Sequence, residues 1–304
     1  MPSALFAGPY ELLNRLSAGG MGEIFVAKRT GQGAFEKHVA LKLLLPHLVS
    51  DTEFIERFFD EARLVARMNH PNIVQLFDVG EADGRPFLAM ALIEGLSLSS
   101  LIKAARAKKE QLPVPVVRLI AVSLLDALSY AHGLVGPKGE KLDVIHRDVT
   151  PSNVLISTAG AVLLTDFGIA RASTNVYRTQ PGRVRGKFAY MAPEHAAEGK
   201  LDQRADLFSA AVTLYEALTL VSPFARQGDI ATMEAVVNGE VAHPRTLRGD
   251  APAGLSDALV QALAKAPGDR FPSARAMRAA VMDGPVASAP ELAELFTRLC
   301  GDEL

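Results

Sequence analysis

One cysteine, Cys300, among 304 residues excludes an internal disulfide framework and fits a reducing compartment. Its position in an apolar tail segment reads as packing and not as a reactive thiol. An excess of one charge is also missing. With 32 Lys and Arg against 34 Asp and Glu, the formal net charge is −2, and no global field draws in nucleic acid or an anionic membrane. Residues 1–9 hold no basic region followed by an apolar stretch, so no signal peptide is expected. The longest apolar run, residues 205–221, is interrupted by Asp206 and Glu216. It falls short of the ~18–20 apolar residues that a spanning helix needs and reads as a helix buried on all sides, with Asp206 at its start. Internal repeats and low-complexity segments are absent. The expectation is a cytoplasmic chain without a membrane span.

An apolar content of 49% supports a large core. The most informative stretch is His146-Arg147-Asp148-Val149-Thr150-Pro151-Ser152-Asn153, followed by Asp166-Phe167-Gly168. The runs Val154-Leu155-Ile156 and Val162-Leu163-Leu164 flank a turn at Ser157 to Gly160 and read as two short strands that bring both acidic ends to one place. An Asp that can take a proton from a hydroxyl, and an Asn and a second Asp that can hold magnesium against nucleotide phosphates, are what phosphoryl transfer from ATP requires.

The N-terminal third reads as strands from Tyr10 to Leu45. Alternation in Val39-Ala40-Leu41-Lys42 puts Ala40 and Lys42 on one face, the small residue leaving room for an adenine ring and the cation suiting its phosphates. The glycine-rich Gly19-Gly20-Met21-Gly22 lets backbone N–H groups approach phosphate. Ser50-Asp51-Thr52-Glu53 reads as a capping box opening a helix with an apolar stripe at Phe54, Phe58, Val65 and Met68. Glu61 falls within that stripe, where a carboxylate needs a cation.

In their order these motifs make the chain resemble the eukaryotic-type Ser/Thr protein kinases of bacteria, over roughly residues 10–282. The resemblance also includes His70-Pro71-Asn72-Ile73-Val74, Ala192-Pro193-Glu194, Asp206 and Arg270. It implies an α+β fold of two lobes. A small β-rich lobe with one key helix spans about 10–90, a hinge about 91–95, and a larger helical lobe about 96–282; a lead of 1–9 and a helical tail of 283–304 flank them. It implies ATP and Mg2+ as cofactors, proteins as substrates, and self-association in autophosphorylation.

Residue by residue, the resemblance makes Asp148 the catalytic base, Asn153 and Asp166 the metal ligands, and Lys42 the phosphate cation, paired with Glu61. ATP would lie against Leu16, Ser17, Ala18, Gly19, Gly20, Met21, Gly22, Glu23 and Ile24. Ala40, Met90 and Leu155 would contact the adenine, and the backbones of Ala91 and Ile93 its edge. Ser97 would either reach the ribose or cap a helix. His146 and Phe167 would pack with Leu76 and Val65 as a spine, and Glu194 would pair with Arg270 beneath the substrate-binding segment. Arg147 marks an activation loop ordered by phosphorylation; Thr179 is the first candidate, then Ser173 and Thr174.

Two positions depart from the family pattern. Thr150 stands where a lysine is usual, and Lys187 where a threonine is usual. The pair reads as an exchange. Lys187 would supply the cation for the transferring phosphoryl group, and Thr150 a hydroxyl that steadies Asp148. The residues retained favour an active kinase over the competing reading, a pseudokinase scaffold of the same fold.

Overall fold

A computed structural model of the chain describes residues 6–19, 22–31, 35–167, 187–197, 199 and 201–301. The chain separates into two compact units, one of residues up to Ile93, the other of Glu94–Phe167 and Val184–Leu304. The division falls inside the segment expected to join two lobes.

The first unit is one sheet and one helix. Its strands are β1 (Phe6–Ala7), β2 (Tyr10–Ala18), β3 (Gly22–Thr30), β4 (Glu36–Leu44), β5 (Leu76–Ala82) and β6 (Arg85–Ala91), ordered β1-β2-β3-β4-β6-β5 and antiparallel throughout. Alternation buries Val39, Leu41 and Leu43 on one face with Ala27, Phe87 and Ala89. The ring of Tyr10 closes this core edge-on against Phe87, and its hydroxyl donates to Asp78 Oδ2 at 3.0 Å, from β2 to β5. Helix α1 (Thr52–Val65) buries Phe54, Phe58, Ala62 and Val65. Its cap differs from the expected box. The Asp51 carboxylate accepts from Phe54 N–H at 3.0 Å, and Ser50 Oγ turns back to the His47 carbonyl.

The second unit is mainly helical: α2 (Leu98–Lys108), α3 (Val114–His132), α4 (Pro193–Ala196), α5 (Arg204–Thr219), α6 (Asp229–Asn238), α7 (Pro244–Leu247), α8 (Ala253–Ala262), α9 (Ala274–Val281) and α10 (Ala289–Cys300). A small sheet of β7 (Gly95–Ser97), β8 (Val154–Ser157) and β9 (Val162–Leu164) completes it. The β8–β9 hairpin has the expected turn, with Gly160 in the left-handed region at φ +79°. Every residue of α5 from Ala205 to Thr219 is buried, which explains its apolar run.

Among the described residues one helix, α3, is long and apolar enough to cross a membrane. It packs on α5 and α9, and its apolar face is core. The residues after α3 form a small hairpin bridged at Val135 and Lys141.

Helix α10 opens with a capping box, Ser288 with Glu291, and buries Leu292, Leu295, Phe296, Leu299 and Cys300 against α2. Its first residue lies over the β8–β9 turn, where a Cβ on Gly160 would stand 1.9 Å from the Ala289 carbonyl oxygen.

Candidate active site

The loop from His146 to Asn153 hangs from one buried carboxylate at the start of α5. Asp206 Oδ2 accepts from His146 N–H and Oδ1 from Arg147 N–H, each at 2.8 Å. His132, the last residue of α3, donates to Oδ2 through Nε2 at 2.8 Å. Burial would push the Asp206 carboxyl up; the His132 hydrogen bond and charge, with the His146 N–H, outweigh it and hold the group below the usual carboxylate range. Arg147 sits at φ +65°, a strained conformation for a side-chain-bearing residue that the paired N–H groups on Asp206 enforce.

Asp148 and Asn153 meet directly. Asn153 Nδ2 donates to the Asp148 carbonyl at 2.8 Å and to its Oδ2 at 2.9 Å. Pro151 starts the short 3-10 turn that carries Asn153 back over the loop, closed by Asn153 N–H on the Thr150 carbonyl. Thr150 is buried as well, but among the described residues its Oγ1 has no hydrogen-bond partner. The expectation that this hydroxyl steadies Asp148 is therefore not met; the Asn153 amide makes that contact.

The second acidic segment is tied to the first through Thr165. Its N–H donates to the Asn153 carbonyl at 2.9 Å, and its carbonyl accepts from His146 Nε2 at 3.0 Å. His146 Nδ1 accepts the Asp148 N–H at 3.2 Å. One ring nitrogen donates and the other accepts, which is a neutral imidazole. Burial, which lowers the His146 pKa, favours the same form. The ring centroid lies 4.5 Å from that of Phe167. His146 thus does more than pack. It fixes Asp148 and, through Thr165, the residue that follows, Asp166, at φ +56°.

Asn153, just before β8, and Asp166, just after β9, offer hard oxygen donors at the same end of the hairpin. Among the described residues no three His, Cys, Asp or Glu gather around one point. Two protein ligands completed by phosphate and water suit magnesium, which keeps several waters.

Glu194, in α4, meets Arg270 in a bidentate pair, Nη1 to Oε1 and Nη2 to Oε2, both 2.7 Å. Arg270 also donates to the carbonyls of Ala264, Arg204 and Lys265, so the buried guanidinium is satisfied on every side.

In the first unit, register places Lys42 opposite Ile24 and Leu88, and Ala40 opposite Val26 and Met90, all on one face. Gly22 is required by a close approach: a Cβ there would stand 2.5 Å from the Leu43 carbonyl oxygen. Gly19 N–H donates to the Gly22 carbonyl at 2.8 Å. Glu23 is committed elsewhere, its carboxylate bonded to Arg15 at 3.1 Å and Arg85 at 3.4 Å. Ala91 N–H is used by the Gln75 carbonyl, so an adenine-edge contact from Ala91 falls to its carbonyl. Leu16 and Ala18 are exposed, Ser17 pairs with Ile24 across the strands, Ile93 is half-buried, and Leu155 lies in β8 of the other unit. Ser97 caps α2, accepting from Ser100 N–H at 3.2 Å.

A family model for the protein kinase domain matches residues 10–281. The chain belongs to the protein kinase family. It is 44% identical to the tyrosine-protein kinase MasK of Myxococcus xanthus, over 88% of this chain and 42% of that protein. It is 36% identical to the serine/threonine-protein kinase PknH of Mycobacterium tuberculosis, over 88% of this chain and 40% of that protein. The chain spans less than half the length of these relatives. The crystal structure of the M. tuberculosis PknI kinase domain superposes with a TM-score of 0.69 at 31% identity, covering 92% of this chain and 98% of that one. The resemblance to bacterial eukaryotic-type kinases and the two-lobed α+β class are thereby established.

Of the kinase residues expected from sequence, Gly20, Met21, Ser173, Thr174 and Thr179, with the side chains of Glu61 and Lys187, lie outside the described residues. His132 was missed. Its signal was weak, a histidine closing an apolar helix. The hook it helps to form makes a prediction for the kinase fold. Asp206→Ala leaves two buried N–H groups and His132 without their acceptor and should cost about 3–5 kcal/mol in urea unfolding. Because the folded carboxyl titrates below its unfolded value of ~3.9, its contribution is full above that pH and is lost as pH falls through the lower folded value. The Ala variant should lack that part of the acid sensitivity.

Proposed function

We propose that the chain is an ATP-dependent protein kinase that transfers the γ-phosphoryl group of Mg-ATP to Ser or Thr hydroxyls of proteins in bacterial cytoplasmic signalling. The observation that carries this reading is Asn153 holding the Asp148 carboxylate. Asp148 accepts the proton of the attacking hydroxyl while the new O–P bond forms and the bond to the β-phosphate oxygen breaks, leaving ADP. Asn153 and Asp166 would hold magnesium, which when bound neutralises phosphate charge. Lys42, with Glu61 as its partner, orients the phosphates. Arg147 receives the phosphate of a modified loop, with Thr179 the first candidate and self-association bringing two copies together for it.

The 44% identity to a protein named as a tyrosine kinase favours a second reading, in which the acceptor is a Tyr hydroxyl. Labelled phosphate from ATP should appear on generic protein substrates as phosphoserine and phosphothreonine. Phosphotyrosine alone would overturn the hydroxyl class, and no transfer at all would leave the pseudokinase scaffold.

A further inference from the structure

Glu216, near the end of α5, is a buried carboxylate that the reaction above does not use. Its Oε2 accepts from the Tyr190 hydroxyl, and its Oε1 from Arg106 Nη2 at 2.6 Å. Arg106 Nε donates to the Leu220 carbonyl at 2.7 Å. Two bonds through one edge of the guanidinium fix its plane and leave the opposite edge to another acceptor. The Tyr190 phenol is held protonated, by burial first and then by Glu216, and adds no charge of its own.

Exposure separates the two ions. Glu216 is 8% exposed and Arg106 43% by side chain, so solvent meets the cation and not the anion. Helix α2, Leu98–Lys108, contains no carboxylate, and exposed Lys103 precedes Arg106 by three residues, on the same face. Tyr190 closes the short 3-10 turn Lys187–Tyr190, which runs into Ala192-Pro193-Glu194, the segment that Arg270 anchors. Through Glu216, Arg106 is therefore tied to the turn that leads into the substrate segment.

We propose that Arg106, with Lys103 beside it, selects protein substrates bearing a carboxylate near the acceptor hydroxyl. A guanidinium already fixed in its plane loses little freedom on pairing and matches a carboxylate fork. The proposal rests on the protein-kinase reading and adds to it a substrate class.

The test uses the full chain, Mg-ATP and peptides that differ at one position near the acceptor, carrying Glu, Gln or Arg. At one position at least, Glu should lower the peptide KM about fivefold relative to Gln, with Arg the poorest. Arg106→Gln should abolish this ratio, Arg106→Lys should keep part of it, and Lys103→Gln should reduce it, all without change in the KM for ATP. A merely structural Arg106 would lower all peptides alike and leave the ratio intact, which overturns the proposal. So does the absence of acid preference in the wild type. If Arg106→Gln fails to fold, the ratios in Arg106→Lys and Lys103→Gln decide. Phosphorylation of generic proteins without acid preference defeats this inference alone; transfer to nothing defeats the kinase reading with it.

Discussion

Asp148→Asn is expected to lower phosphoryl transfer by about 10²–10⁴-fold with little change in melting temperature. The carboxylate is buried and accepts from Asn153 Nδ2 at 2.9 Å. An amide keeps its shape and can still turn an oxygen to Asn153, so the loop survives and only the proton acceptor is lost. Lys42→Met probes the other unit in the same assay. It removes an ammonium from a strand position whose cross-strand neighbours, Ile24 and Leu88, are both apolar, and it leaves an unbranched stem of similar length. Wild-type rates in both folded variants would show that neither residue has the assigned role.

The second large effect concerns Thr150 and Lys187. Lys187→Thr should cost about 10²–10³-fold in kcat, because it removes the cation assigned to the transferring phosphoryl group. Thr150→Lys alone should also be damaging, since it adds a second ammonium to the volume in which the exchange already places that of Lys187. Together the two substitutions restore the usual arrangement of the family, and the double variant should regain much of the activity. A double-mutant cycle reads this coupling directly. Additive losses, or a harmless Lys187→Thr, would refute the exchange. The structure already narrows the idea. Among the described residues Thr150 Oγ1 has no hydrogen-bond partner and Asn153 holds Asp148, so any exchange concerns the cation and not the steadying hydroxyl.

Local pattern made much of this legible. The stripe of α1, the β8–β9 hairpin, the buried α5 and the α10 face all follow from spacing within a dozen residues. The Glu194–Arg270 pair came only from resemblance, because nothing local links residues 76 apart. What stayed hidden was long-range polar pairing. In sequence Arg106 is one more cation on the wet side of a helix, and Glu216 an interruption in an apolar run; they meet across 110 residues. Glu23 likewise looks like part of a phosphate loop until Arg15 and Arg85 are seen to hold it. The cap of α1 moved by one residue: a Ser50 cap would take the Glu53 N–H, whereas the Asp51 carboxylate takes the Phe54 N–H and is the stronger acceptor.

The tail helix redraws the border of the domain. The family pattern stops at residue 281, but the hydrophobic interior continues through Phe296 and Leu299, seated on α2. Gly160 forms a notch that any side chain would fill, and Ala289 occupies it. That notch is at the tip of the hairpin whose two ends carry Asn153 and Asp166, so the tail braces that hairpin at its turn. A chain cut where the homology ends would carry a bare apolar socket along α2, the kind of surface that drives association.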